Sequence, residues 1–297
     1  TLANDSYVLR LLARDVNGHT EAAAVILSVA GELKPGRFTF AITDLNIPLA
    51  GVPIQITRVY DTLDAARPED FGHGWRLQFR QGRVRESVPK SSLEAQGVPA
   101  IFAANPFKTG ARVTLTHPDG RRVGFTFLPT LQDTDYGAGA GLFGTTWKPR
   151  FVPDRGVHDS LEVDDATLAI GPDGSVYHYL FQLPFNPDTY RLTTRDGRTY
   201  RYSESEGLLD VTDRNGNALT FSENGITHSS GASISFSRDA QGRITAITTP
   251  DGKAIRYEYD ASGDLVRVTD PAGLNVHYRY HADPAHYFAG LYNDAGE

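Results

Sequence analysis

The 297-residue sequence contains no cysteine, no methionine and only two tryptophans. Without cysteine it has no disulfide framework, no thiolate nucleophile and no Cys-ligated zinc. Long hydrophobic runs are missing too, and no apolar stretch approaches the roughly 18 residues that span a bilayer. Nor is there an excess of basic charge: Lys+Arg 29 against Asp+Glu 36 gives a formal net charge of −7. That balance argues against nucleic acid or an anionic membrane as a partner, since both need a basic face. Helical periodicity is hard to find, whereas period-two alternation recurs along the chain. Because the sequence opens at Thr1 and holds no Met, it is expected to be a piece of something longer, with no targeting signal to be sought at its start.

What the sequence does have is Gly 29, Pro 17, Tyr 14 and Phe 15. Turn formers punctuating alternating aromatic stretches predict an all-β, antiparallel fold. Residues 1–31 read as a strand pair, Tyr7–Ala13 and Glu21–Val29, around a turn carrying Asp15 and Asn17-Gly18. An isolated hairpin is marginal, and this one resembles the last two strands of an immunoglobulin-like or fibronectin-like extracellular module. Alternation continues in Phe38–Ile42, in Val52–Tyr60 and from Arg76 to Val84, with Pro48 and Pro53 expected at strand starts or edges. Residues 86–110 read as a long connection, and residues 129–169 as a poorly periodic insertion.

The informative feature is an internal repeat. Gly231-x-x-Ile-x-Phe236 is followed by Gly252-x-x-Ile-x-Tyr257 and by Gly273-x-x-Val-x-Tyr278, each glycine 21 residues after the last. A second strand lies between them, since Gly242-Arg-Ile-Thr-Ala-Ile-Thr matches Gly263-Asp-Leu-Val-Arg-Val-Thr. Weaker copies begin at Gly216, Gly197, Gly174 and Gly120. Each unit is expected to be two strands and two turns, with Gly216, Gly231, Gly252 and Gly273 in the turns. Alternation then puts Ile255, Tyr257 and Tyr259 on one face with Val276, Tyr278 and Tyr280, an aromatic ladder, and Arg256, Glu258, His277 and Arg279 on the other.

The stretch Tyr257-Glu-Tyr259-Asp260-Ala-Ser-Gly263-Asp-Leu-Val-Arg-Val-Thr-Asp270-Pro-Ala-Gly273 resembles the YD repeat of Rhs proteins, toxin-complex C components and teneurins. Upstream, Asp44–Asp61 followed by Phe71-Gly-His-Gly-Trp75 is similar to the segment that opens the Rhs core, so the resemblance covers about residues 32–281. It implies three regions: residues 1–31, a core opening at 32–190 with insertions at 86–110 and 129–169, and YD repeats at 191–297. It also implies a spiral β-shell around a C-terminal toxin or effector, in a secreted or surface protein. The partners so implied are the rest of that shell and the enclosed cargo, with a cell-surface protein or glycan as a further partner. An extracellular adhesion module is the alternative. Asp270-Pro-Ala-Gly-Leu274 looks like the self-cleavage site of such proteins, but it falls at an ordinary repeat turn with 23 residues after it. The expectation is the opening stretch of a shell, without protease or warhead.

The remaining motifs have bland readings. Gly139-Ala-Gly-Leu-Phe-Gly144 fits Gly-x-Gly-x-x-Gly, but Pro149 follows too soon for the helix a dinucleotide site needs, so a loop is expected. The nine histidines show no zinc-helix spacing, although His281, Asp283 and His286 lie close in sequence. Asp213-Arg-Asn-Gly-Asn217 has calcium-type oxygens but not the length of an EF-hand. Asp64, Glu69 and Asp70 near Trp75 suggest a glycosidase pair only weakly, and no Gly-x-Ser-x-Gly occurs. The aromatic ladder is expected to be a packing face, with carbohydrate or peptide stacking as the other reading. No enzyme activity, cofactor, metal, nucleic acid or membrane insertion is expected of this segment.

Overall fold

The computed structural model describes residues 5–14, 20–29, 38–132 and 145–297, the first two stretches by their backbone alone. Alternation becomes strand along most of this length, and every ladder between named strands is antiparallel. β1 (Asp5–Arg14) pairs with β2 (Thr20–Val29), Asp5 opposite Val29 and Arg14 opposite Thr20. The turn at Asp15 and Asn17-Gly18 and the glycine motif at 139–144 lie outside the described residues.

The opening segment holds β3 (Thr39–Ile47) and β4 (Ile54–Asp61), separated by Pro48 and Pro53. Two-residue strands β5 (Pro68–Glu69) and β6 (Gly72–His73) pair with each other, and β7 (Trp75–Leu77) extends the β3–β4 sheet. Two expectations fail here. The alternating strand predicted from Arg76 to Val84 is interrupted by a 3-10 turn, Gln78–Gln81. That turn brings Phe79 onto Phe221, ring centroids 4.5 Å apart, a long-range contact that periodicity cannot register. In β4, moreover, Ile54, Ile56, Arg58 and Tyr60 are buried, but so are Thr57, Val59 and Asp61 on the opposite face. β4 is a central strand covered on both sides.

Residues 83–207 are built from short pieces. β8 (Arg83–Glu86) is followed by single-turn helices α1 (Ser92–Ala95) and α2 (Ala100–Ala103) within the long connection. α1 starts at a capping box, Ser91 accepting from the Glu94 N–H while Glu94 accepts from the Ser91 N–H. Then come β9 (Arg112–Thr116), β10 (Arg122–Phe127), β11 (Thr130–Gln132), β12 (Thr146–Lys148), β13 (Phe151–Pro153), β14 (Ser160–Glu162), β15 (Leu168–Ile170), β16 (Val176–His178), β17 (Thr189–Thr193) and β18 (Thr199–Ser203). Strand orders are β13-β10-β9-β8 and β11-β12-β15-β16, with β17 between β14 and β18. The segment expected to be irregular thus contains strands of three residues, too short for a period of two to repeat. Phe107, Phe125, Phe127, Phe151, Phe185 and Tyr190 form its aromatic core.

The C-terminal part is one meander: β19 (Gly207–Thr212), β20 (Ala218–Ser222), β21 (Gly225–His228), β22 (Ser233–Arg238), β23 (Ile244–Thr248), β24 (Ala254–Tyr259), β25 (Leu265–Thr269), β26 (Asn275–Tyr280) and β27 (Phe288–Asn293), each bonded to the next. Leu33–Gly82 clusters with Leu208–Glu297 in one compact unit, and Arg83–Gly207 belongs to the other. The doubly covered β4 gives the reason: its apolar surface needs partners that the local sequence does not contain.

Candidate functional site

The turns of the meander share one build. The residue just past a strand accepts, on its carbonyl, the N–H of the glycine three positions on, and its own N–H bonds the carbonyl four positions on. Asp239 does so with Gly242 and Arg243, Thr249 with Gly252 and Lys253, Asp260 with Gly263 and Asp264, and Asp270 with Gly273 and Leu274. Gly216 and Gly231 hold the same place after Asp213 and His228. The glycine sits at positive φ, 80° at Gly252 and 89° at Gly273. The leading aspartate caps the turn: Asp239 Oδ1 accepts from the Gln241 and Arg243 N–H groups, and Asp270 Oδ1 from those of Ala272 and Leu274. Asp260 Oδ1 accepts from the Asp264 N–H.

Both turns of a unit are therefore alike, and the 21-residue period has another source. Register shifts occur at Ser237/Arg238, Glu258/Tyr259 and Arg279/Tyr280, once in every second ladder. The ladders between them run without a shift. An extra residue twists a strand locally and re-aims its neighbour. Tyr259 and Tyr280, each just past a shift, reach back to adjacent strands, donating their hydroxyls to the Ile244 and Leu265 carbonyls at 2.5 and 3.0 Å. The two tyrosines of a repeat thus do different work. Phe236, Tyr257 and Tyr278 are buried, whereas Tyr259 and Tyr280 are half-exposed and tie neighbouring strands together.

On the other face Arg256, Glu258 and Arg279 are exposed, and Glu258 pairs with Arg267. Position 276/277 departs from the expected split, because Val276 and His277 are both half-exposed. His277 stacks on Tyr292 at 5.0 Å and bonds Asp294 at 2.8 Å, which covers its ring. Tyr257→Ala is expected to cost about 3–5 kcal/mol, as truncation of a buried aromatic does, and Arg256→Ala under about 1 kcal/mol. Equal losses in urea unfolding would show the faces to be misassigned.

The aromatic face is covered by the opening segment, and its centre is Arg58. This side chain is 1% exposed. Its Nε and Nη2 donate to Asp44 at 2.5 and 2.8 Å, and Nη2 also donates to the Tyr278 hydroxyl at 2.9 Å. The Tyr257 hydroxyl donates to the same Asp44 at 2.8 Å. Phe71, Trp75, Tyr257 and Tyr278 surround the guanidinium, with ring centroids 5.1–5.7 Å away. Nη1 is buried and has no hydrogen-bond partner among the described residues, so the four rings supply the guanidinium with cation–π contacts in place of a further acceptor. Further bonds join the same elements: Trp75 Nε1 donates to the Tyr280 hydroxyl at 2.9 Å, and the Tyr60 hydroxyl donates to the His286 carbonyl at 2.8 Å.

Electrostatics fix this cluster in one state. Burial by itself would lower the Arg58 pKa, but Asp44 outweighs it and holds the guanidinium above its ordinary value. Burial, then the Asp44 charge, pushes the Tyr257 phenol well up, and burial does the same at Tyr278. The cluster is a buried ion pair hydrogen-bonded to two neutral phenols, and it holds the elements together.

Turns of the meander also seat the opening segment. A Cβ on Gly51 would lie 2.1 Å from Asp213 Oδ2 and 2.5 Å from Asn217 Nδ2, so only glycine fits there. His228 Nδ1 accepts from the Ser230 N–H at 3.0 Å, which leaves Nε2 to donate to the Ala50 carbonyl at 3.2 Å. Ile244 N donates to the Asp70 carbonyl at 2.7 Å, and His73 N to the Gly263 carbonyl at 3.3 Å. Gly252 has open space around it. Gly252→Ala is thus expected to cost about 1–2 kcal/mol of backbone strain. Gly51→Ala should cost at least about 2 kcal/mol more, through overpacking. Matching losses in thermal unfolding would refute the seating.

The weaker chemical candidates have structural occupations. Asp64 pairs with Arg67 and Arg76, at 3.1 and 2.5 Å. Asp70 takes Arg80, Arg238 and the Leu77 N–H, all within 3.2 Å. Asp213 accepts from the N–H groups of Asn215 and Asn217, which makes it a turn cap. His286 turns to Asp264 at 2.9 Å and stacks on His73 at 3.7 Å. Among the described residues no group of three or more His, Asp or Glu side chains is arranged to hold a metal ion.

Asp44, Arg58 and Phe71 lie within the stretches that resemble the core opening, but no local motif distinguishes them. The usable signal was positional: Ile54-x-Ile56-x-Arg58-x-Tyr60 places an arginine on the apolar side of an alternating strand.

The RHS Repeat family model matches residues 225–254 and 259–283, the stretch that holds β21 to β26. No curated protein matches the chain. With hairpin turns capped by aspartate, paired tyrosines of distinct function and a family match over the same residues, the chain carries Rhs/YD repeats over residues 225–283.

Proposed function

We propose that this chain is a non-enzymatic stretch of wall in a larger secreted or surface-displayed protein, whose β-shell encloses a C-terminal toxin or effector. The observation that carries the reading is the Arg58 seam. A meander whose aromatic face is covered by the opening segment, and joined to it through a buried ion pair, supports a closed wall over an open binding face. Among the described residues no helix is long and apolar enough to cross a membrane.

The parent protein tests this, expressed with and without residues 32–281. Protease access to its C-terminal domain should rise sharply on deletion. Equal protection in both forms would exclude the container and leave adhesion as the better account. Hydrolysis of glycans or peptides by the isolated chain would sink both.

A further inference from the structure

The two most exposed large apolar side chains among those described are adjacent: Leu180 at 79% and Phe181 at 75%. They form the tip of a narrow hairpin that follows β16. The His178 N–H donates to the Leu183 carbonyl at 2.8 Å and the Gln182 N–H to the His178 carbonyl at 2.9 Å. Gln182 stands at φ 54°, a conformation unusual for a residue with a side chain, and its amide donates to the Tyr179 carbonyl at 2.7 Å. The backbone is therefore fixed in a shape that points two apolar groups outward. From Ser175 to Pro187 there is no Asp, Glu, Lys or Arg, in a chain that is 22% charged. Tyr177 and Tyr179 stand half-exposed at the base of the tip.

The size and shape of the tip discriminate between partners. Two such side chains offer on the order of 300 Å², well short of the roughly 800 Å² that each partner of a stable protein complex buries. A bilayer needs no matching shape. An uncharged convex tip with tyrosines below it fits the layering of a membrane interface, where aromatic rings sit at headgroup depth and aliphatic groups just beneath. The net charge of −7 supplies no attraction to anionic lipid, so the lipid in question is zwitterionic. We propose that the Leu180–Phe181 tip docks the protein onto a zwitterionic lipid surface, seating both side chains at the boundary between headgroups and acyl chains. Such docking is distinct from a spanning segment and independent of whether the shell encloses a cargo.

The test uses the 297-residue chain and phosphatidylcholine vesicles. The tryptophan introduced by Phe181→Trp should show a blue-shifted emission at millimolar lipid, quenched by lipids brominated along the acyl chain. Leu180→Ser with Phe181→Ser should lower vesicle partitioning about tenfold or more. Phe102→Ser, at a comparably exposed phenylalanine on α2, should leave it unchanged. Emission of the Phe181→Trp variant that does not change on adding vesicles would overturn the proposal, as would an equal loss with Phe102→Ser. Concentration-dependent dimers abolished by the double serine variant, without vesicle binding, would assign the tip to a second copy of the chain instead.

Discussion

Arg58→Ala is expected to destabilise the unit formed by Leu33–Gly82 and Leu208–Glu297 by about 3–5 kcal/mol, the range found when one partner of a buried ion pair is removed. The substitution leaves Asp44, 6% exposed at its side chain, with only the Tyr257 hydroxyl of its partners in the cluster, and opens a void among four aromatic rings. The lost packing and the uncompensated charge act in the same direction. Replacing both partners separates them. Arg58→Met with Asp44→Leu removes the charges together and refills the volume, so it should be more stable than Arg58→Ala by at least about 1 kcal/mol, although Tyr257 then lacks its acceptor. Urea unfolding with unchanged slope is the measurement. A double variant weaker than the single one would show that the ion pair holds the seam by its charge.

How much of this was legible from residues alone depends on the range of the interaction. The hairpin turns were readable, because Asp260 and Gly263 stand three apart for a reason contained in four residues of backbone. The aromatic face was readable from β24, where Ile255 and Tyr257 alternate with Arg256 and Glu258. The distinct task of Tyr259 was not, since the register shift at Glu258/Tyr259 breaks the parity that alternation assumes. Nor was the seam: Arg58 and Tyr278 are 220 residues apart, and only the fold brings them to 2.9 Å. The arginine on an apolar strand face was a visible anomaly whose partner was invisible. The sequence likewise marks no difference between a strand open on one side and one covered on both, as β4 is.

The largest pH effect is expected at Glu86, in the other unit. Its carboxyl accepts a hydrogen bond from Tyr190, whose side chain is fully buried, at 2.5 Å, and so ties β8 to β17. Asp188 and Glu204 add negative charge around it, and Lys90, whose charge opposes the rise, pairs with Glu204 at 2.7 Å. Glu86 keeps some exposed surface, yet burial of the carboxyl dominates and pushes its pKa up to about 8, the Tyr190 bond opposing only part of the rise. The unfolded chain releases this proton near pH 4.5, whereas the folded chain holds it to about 8. Between those values the folded state binds the extra proton, so the Glu86 contribution is fully present below pH 4.5 and is lost as pH rises through the window. A shift of that size corresponds to roughly 4–5 kcal/mol; with solvent reaching the half-buried group, on the order of 2 kcal/mol should be seen. Glu86→Gln keeps an acceptor for the Tyr190 hydroxyl and cannot ionise. Its stability should match the parent near pH 4.5 and exceed it by that amount at pH 8.5, which thermal unfolding across the range would measure. Parallel curves for the two proteins would mean that Glu86 is already ionised at neutral pH, and that the β8–β17 contact rests on a charged rather than a protonated carboxyl.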